Sequence, residues 1–171
     1  MNEKSALETL ETNLIHGGAR WIADLTEFFK DYRIDDTVFA IYARGNTRNR
    51  GLLLSRFLAW TVLPNYHVSL FCVDERDALL TTEKLRKRLD AVLSLSKREE
   101  LKWAWIIVFS SRDIPTQVVS FVSRYDNKEI GLAVASTSSS QVVLSANQLG
   151  RSIGKQLRLR RTLERLNSRR N

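Results

Sequence analysis

TVFAIYARGNTRNRGLLLSRFLAWTVL, residues Thr37 to Leu63, decides the fold class. It opens on an apolar, β-prone run (Val38-Phe39-Ala40-Ile41-Tyr42) and passes through a polar loop bounded by Gly45 and Gly51. It closes on a leucine-rich segment of helical character. A strand, a glycine-bounded loop and a helix form the opening unit of many α/β domains, and a helix amino end in that position attracts phosphate. The loop holds Arg48 and Arg50, flanked by Arg44 and Arg56 with no acid between them, and so predicts a phosphate contact. Its spacing fits neither the dinucleotide fingerprint nor the P-loop, because three leucines follow Gly51 in place of Lys and Ser or Thr. No small-molecule cofactor is called for.

On the carboxyl side, His67–Val73 reads as a second strand and residues 82–95 as a helix with Leu85, Leu89, Val92 and Leu93 inward. Trp103–Phe109 reads as a third strand. Asp113 is placed to cap a helix that carries Pro115 in its first turn and runs to about Tyr125. Gly131–Ala135 is a fourth strand and Gln141–Leu144 a short fifth at the sheet edge. On the amino side, Leu7, Leu10 and Leu14 mark one helix. Trp21, Ile22, Leu25, Phe28 and Phe29 mark a second over residues 19–32. Strands alternating with helices predict a three-layer α/β domain with a mostly parallel sheet of about five strands. The chain divides into N-terminal helices (1–34), a sheet core (37–145) and a long basic amphipathic C-terminal helix (147–170), within one domain.

A chain of 171 residues is long enough to bury roughly 70% of its unfolded surface in one core. The longest apolar run, Leu52–Leu63, is interrupted by Ser55 and Arg56 and falls short of the ~20 residues a membrane span needs. Met1–Ser5 lacks an apolar leader, so no secretory signal is expected. Cys72 is the single cysteine, which points to a reducing, cytoplasmic setting and to a buried hydrophobe. With it, His16 and His67 are too scattered for a structural zinc site.

The net charge of +8 is localised. Residues 151–171 hold eight Lys and Arg against one acid, Glu164, and the first 150 residues carry 19 basic and 18 acidic groups. At about 100° per residue, Leu149, Ile153, Leu157, Leu159, Leu163 and Leu166 share one side of a helix of about 22 residues, roughly 33 Å long. Arg151, Lys155, Arg158, Arg161, Arg165 and Arg169 gather on the other side. Arginine forks suit phosphate oxygens, and such a stripe matches a nucleic-acid backbone. The plainer alternative is a solvated helix face whose cations complement the helix dipole.

Catalytic patterns are sparse. Strand, helix, strand from Trp103 to Ala135 resembles, in topology alone, the back half of the restriction-endonuclease-like fold. Metal-dependent nucleases of that fold hold Mg²⁺ with an acid on one strand and a Glu-x-Lys-type pair on the next. Asp74, Glu75 and Asp77 are the candidates for a local acidic cluster. In a parallel sheet Asp36 falls at the opposite end from Asp74 and Glu75. Ser110, Ser111 and Ser136–Ser140 lie at strand ends without a Gly-x-Ser-x-Gly elbow or a placed His. The leading expectation is a non-enzymatic, cytoplasmic nucleic-acid-binding domain using the basic helix and the Arg48/Arg50 loop. One alternative is an assembly subunit docking a protein or ribonucleoprotein partner, or a second copy, through that helix. The other is a Mg²⁺-dependent nuclease, degenerate or active.

Overall fold

The computed structural model describes residues 6–16, 23–47, 67–75 and 79–168. Its elements run α1 (Ala6–Ile15), β1 (Ala23–Ile34), β2 (Thr37–Thr47), β3 (His67–Glu75), α2 (Thr82–Glu99), β4 (Trp103–Ser110), α3 (Thr116–Arg124), β5 (Ile130–Ser136), β6 (Val142–Leu144), α4 (Gln148–Leu157) and α5 (Leu159–Asn167). The six strands form one sheet in the order β1-β2-β3-β4-β5-β6. The leucine-rich segment expected as a helix after Gly51 lies outside the described residues, as do Trp21 and Trp60.

The sheet is mixed, not mostly parallel. β3, β4 and β5 pair in parallel, whereas β1/β2, β2/β3 and β5/β6 are antiparallel. Short connections explain much of the difference, since only antiparallel neighbours can be joined by a tight turn. Asp35-Asp36 joins β1 to β2 as such a turn, with Asp35 in the left-handed region at φ 50. The parallel pairings are those that cross over through α2 and α3.

Where the helix expected over residues 19–32 falls on described residues, from 23 onward, the chain is instead strand β1; residues 19–22 lie outside the described residues. Its apolar spacing suits a helix, but its aromatic residues gain more from pairing across strands. The Tyr32 and Tyr42 rings lie 4.5 Å apart, and Phe29 stacks on Tyr42 at 5.6 Å. β2 also runs further than its apolar core, taking in Gly45, Asn46 and Thr47 from the expected loop.

Strand β4 shows why the molecule has three layers. Ala104, Ile106 and Val108 face a core closed by Leu85, Leu89 and Val92 of α2 and Val118 and Val122 of α3. Trp105, Ile107 and Phe109 face a second core closed by α1, α4 and α5. An apolar run with no polar face is what a strand covered on both sides requires. Cys72 is fully buried in the second core, where burial pushes its thiol well above the usual range and removes it as a nucleophile.

Helix boundaries follow local chemistry. The Thr81 hydroxyl caps α2 by accepting from Lys84 N at 3.3 Å. Glu100 closes it in the left-handed conformation, so the expected connector at Ser96 begins as helix. Asp113 does not cap α3. Pro115 takes that position, and Asp113 accepts a hydrogen bond from Ser138 Oγ at 3.0 Å. The expected single C-terminal helix is two helices, α4 and α5, broken at Arg158.

β5 and α4 approach so closely that a Cβ on Gly131 would sit 2.5 Å from the Leu149 carbonyl carbon. Backbone cannot yield there without moving α4. Gly131→Ala is therefore expected to cost about 1–3 kcal/mol, measured by urea unfolding of both proteins.

Candidate nucleic-acid interface

The basic segment takes its position from the start of α4. Asn147 Oδ1 accepts from Gly150 N at 2.8 Å, while its Nδ2 donates to the carbonyls of Asn127 at 2.7 Å and Ile130 at 2.6 Å. From that anchor Leu149, Ile153 and Leu157 are buried against the sheet. Trp105 Nε1 donates to Ser152 Oγ at 3.0 Å and adds a tie from β4 to α4.

Arg158 then adopts φ 48, ψ 38, a left-handed conformation with no glycine to ease it. The break redirects the chain, so that Leu159 and Leu163 remain in the same core beside Leu10 and Leu14 of α1. At the far end, Asn167 Nδ2 donates to Ser140 Oγ at 2.7 Å. The apolar periodicity survives the break, but the basic side becomes a bent surface and not a straight stripe.

That bend forms one wall of a groove of about 410 Å³, and α1 forms the other. Lys155, Arg158, Arg161 and Arg165 converge on it, joined by Asn13 and His16, and among the described residues no carboxylate lines it. All four cations are exposed, and among the described residues none meets a carboxylate within ion-pair distance. His16 Nδ1 lies 2.7 Å from the Thr12 carbonyl oxygen. A carbonyl only accepts, so Nδ1 carries the hydrogen and Nε2 is the ring's remaining polar atom. Leu10, Leu14 and Leu157 supply the apolar part of the lining. α1 is held in place on its other side by Glu11, which meets Lys30 of β1 at 3.0 Å. The arrangement suits a phosphate or a short run of phosphodiester, because arginine forks and a compact lysine charge meet there without a competing anion among the described residues.

Arg151 is exposed on α4 but is not among the groove residues. Arg48, Arg50, Arg56 and Arg169 lie outside the described residues. Arg44 belongs to β2, where its Nε and Nη2 donate to Glu27 Oε2 at 2.8 and 2.7 Å. Asn13 and His16 were missed, because nothing in a single sequence says that α1 packs beside α5.

Of the acidic candidates, Glu75 has a structural partner. Because β2 and β3 are antiparallel, Asp36 and Asp74 fall at the same end of the sheet, contrary to the parallel expectation. Glu75, however, is an ion-pair partner of Arg88 and Lys84 on α2. Burial pushes Arg88 down to about 10, so its pair with Glu75 anchors α2 in a partly dry setting. Asp77 is outside the described residues, and among those described no three His, Cys, Asp or Glu side chains gather as a metal site. The serine clusters hold turns together: Ser136 Oγ lies 2.8 Å from Ser138 Oγ, and Thr137 Oγ1 donates to the Ser110 carbonyl at 3.2 Å. Trp103 is half-buried and meets Trp105 edge-on at 5.9 Å, so it offers no open stacking platform.

Compared with known proteins, the chain matches no protein family, no curated relative and no solved structure. No described helix is long and apolar enough to cross a membrane.

A non-glycine residue in the left-handed region is strained by roughly 1–2 kcal/mol. Arg158→Gly is expected to raise stability by about 1 kcal/mol and Arg158→Ala to leave it nearly unchanged. Urea midpoints of the two variants check this.

Proposed function

We propose that this chain is a cytoplasmic, non-catalytic nucleic-acid-binding protein that holds backbone phosphates in the groove between α1 and the α4–α5 corner. The observation that carries the reading is the convergence of Lys155, Arg158, Arg161 and Arg165 on one groove that no described acid lines. Phosphate contacts of this kind give affinity and register but little sequence preference. Arg151 extends the basic surface along α4, and Arg48, Arg50 and Arg169 are further candidate contacts. The buried leucine face weighs against a partner that docks through it, because Leu149, Ile153, Leu157, Leu159 and Leu163 already cover the chain's own sheet. Ion pairing of Glu75 with Arg88 weighs against a nuclease centred on the β3 acids.

Fluorescence anisotropy of labelled single- and double-stranded DNA and RNA, across a salt series with Mg²⁺ present, tests this. Four phosphate contacts give a log–log salt slope of roughly −3 to −4. The triple variant Lys155→Gln/Arg161→Gln/Arg165→Gln should flatten that slope by about one unit for each charge removed. Absence of binding at low salt, or equal binding by the variant, contradicts the reading. Cut probes move the assignment to a nuclease.

A further inference from the structure

On the opposite face of the sheet lies a second recess of about 330 Å³, built on the carboxyl half of β2 and the amino half of β3. Its floor holds the cross-strand pair Arg44 and Ser69, and next to it Tyr42, whose own cross-strand partner is Phe71. Tyr42 and Phe71 sit in the core beneath α2, and their rings stack at 4.7 Å. α2 ends at Glu99, so the same file of side chains continues from under the helix into the open.

Two features separate this recess from an ordinary polar surface. The hydroxyls of Tyr42 and Ser69 line it near one another, their residues are only 2% and 1% exposed, and among the described residues neither makes a well-formed hydrogen bond. Buried hydroxyls left in that state destabilise a fold unless something satisfies them. Charges of both signs also meet there. Arg44 meets a single oxygen of Glu27 through its Nε and Nη2 edge, and Glu99 adds a second carboxylate to the lining. Burial raises the Tyr42 phenol above its usual range, the Ser69 hydroxyl opposes that rise and Glu99 adds to it, so these groups share one local field.

One guanidinium with two carboxylates, the charged groups of the described lining besides His67, discriminates by charge. A simple anion meets two like charges, and a simple cation meets Arg44. We propose that the recess binds a small zwitterion of the free amino-acid type. Its carboxylate lies on Arg44, its ammonium is held by Glu27 and Glu99, and the hydroxyls of Tyr42 and Ser69 complete the contacts. The volume is near the lower end of small-molecule sites, roughly 300–1,000 Å³, and too small for an oligomer. None of the groove cations on the other face takes part, so this site stands or falls independently of nucleic-acid binding.

Thermal shift and calorimetry on the full chain, with each of the twenty free L-amino acids at neutral pH, test the proposal. At least one is expected to bind and raise the Tm by mass action. Its methyl ester, which lacks the carboxylate, and its N-acetyl form, which lacks the ammonium, are each expected to bind about tenfold more weakly or worse. Arg44→Gln and Glu99→Gln should show the same loss. Ser69→Ala is expected to raise the Tm of the free protein while weakening the amino acid about tenfold. No binding by any of the twenty, or capped forms that bind as well as the free acid, overturns the proposal. So does binding that survives both Arg44→Gln and Glu99→Gln.

Discussion

The side-chain amide of Asn147 is the contact on which the basic surface depends. Its oxygen accepts from Gly150 N and Ser145 Oγ, and its nitrogen donates to two carbonyls of the segment leading into β5. Ser145 Oγ in turn accepts from Leu132 N at 2.9 Å. One buried amide thus uses its full donor and acceptor capacity to join a loop, a strand and a helix start. Gly131 and Gly150 let the two backbones meet at that point. Once α4 is fixed in height and rotation, the positions of Ile153 and Leu157 follow, and so does the outward side on which Lys155 must lie.

The break at Arg158 converts this anchored helix into a concave surface. A straight helix of the same composition presents its cations along a line on a convex side. Two shorter helices joined through a left-handed residue turn Arg158, Arg161 and Arg165 toward α1 instead. Cations gathered without acids repel one another, which opposes folding and favours any polyanion that relieves it. Concentrating the excess charge here, on a body close to neutral, gives the molecule a sided electrostatic character. The recess on the opposite face is lined by charges of both signs and by buried hydroxyls.

Much of this architecture was legible in the sequence, for identifiable reasons. β4 and β5 read correctly because a strand buried on both faces is an unbroken apolar run. α2 read correctly because Leu85, Leu89 and Val92 keep helical spacing. β1 did not, since Leu25, Phe28 and Phe29 satisfy a helical period as well as a strand, and only their pairing with β2 settles the matter. Sheet direction is lost for a related reason: a helix over residues 19–32 leaves Asp35-Asp36 between a helix and a strand, so the tight turn between two strands goes unseen. The basic residues of the C-terminal segment were identifiable from charge alone. Their assembly into a groove was not, because the left-handed Arg158 carries no glycine signal and because α1 is more than 140 residues away in the chain.

The most direct test of the account is an NMR titration of the full chain with a short single-stranded oligonucleotide at low salt. The side-chain amides of Asn13 and Gln156 report on the two walls of the groove, and the Tyr42 and Ser69 backbone signals report on the opposite face. The account predicts progressive shifts at Asn13, Gln156 and Thr162 that reverse on adding salt, with the opposite face unmoved. Shifts confined to other surfaces, with Asn13 and Gln156 unchanged at saturation, would contradict it.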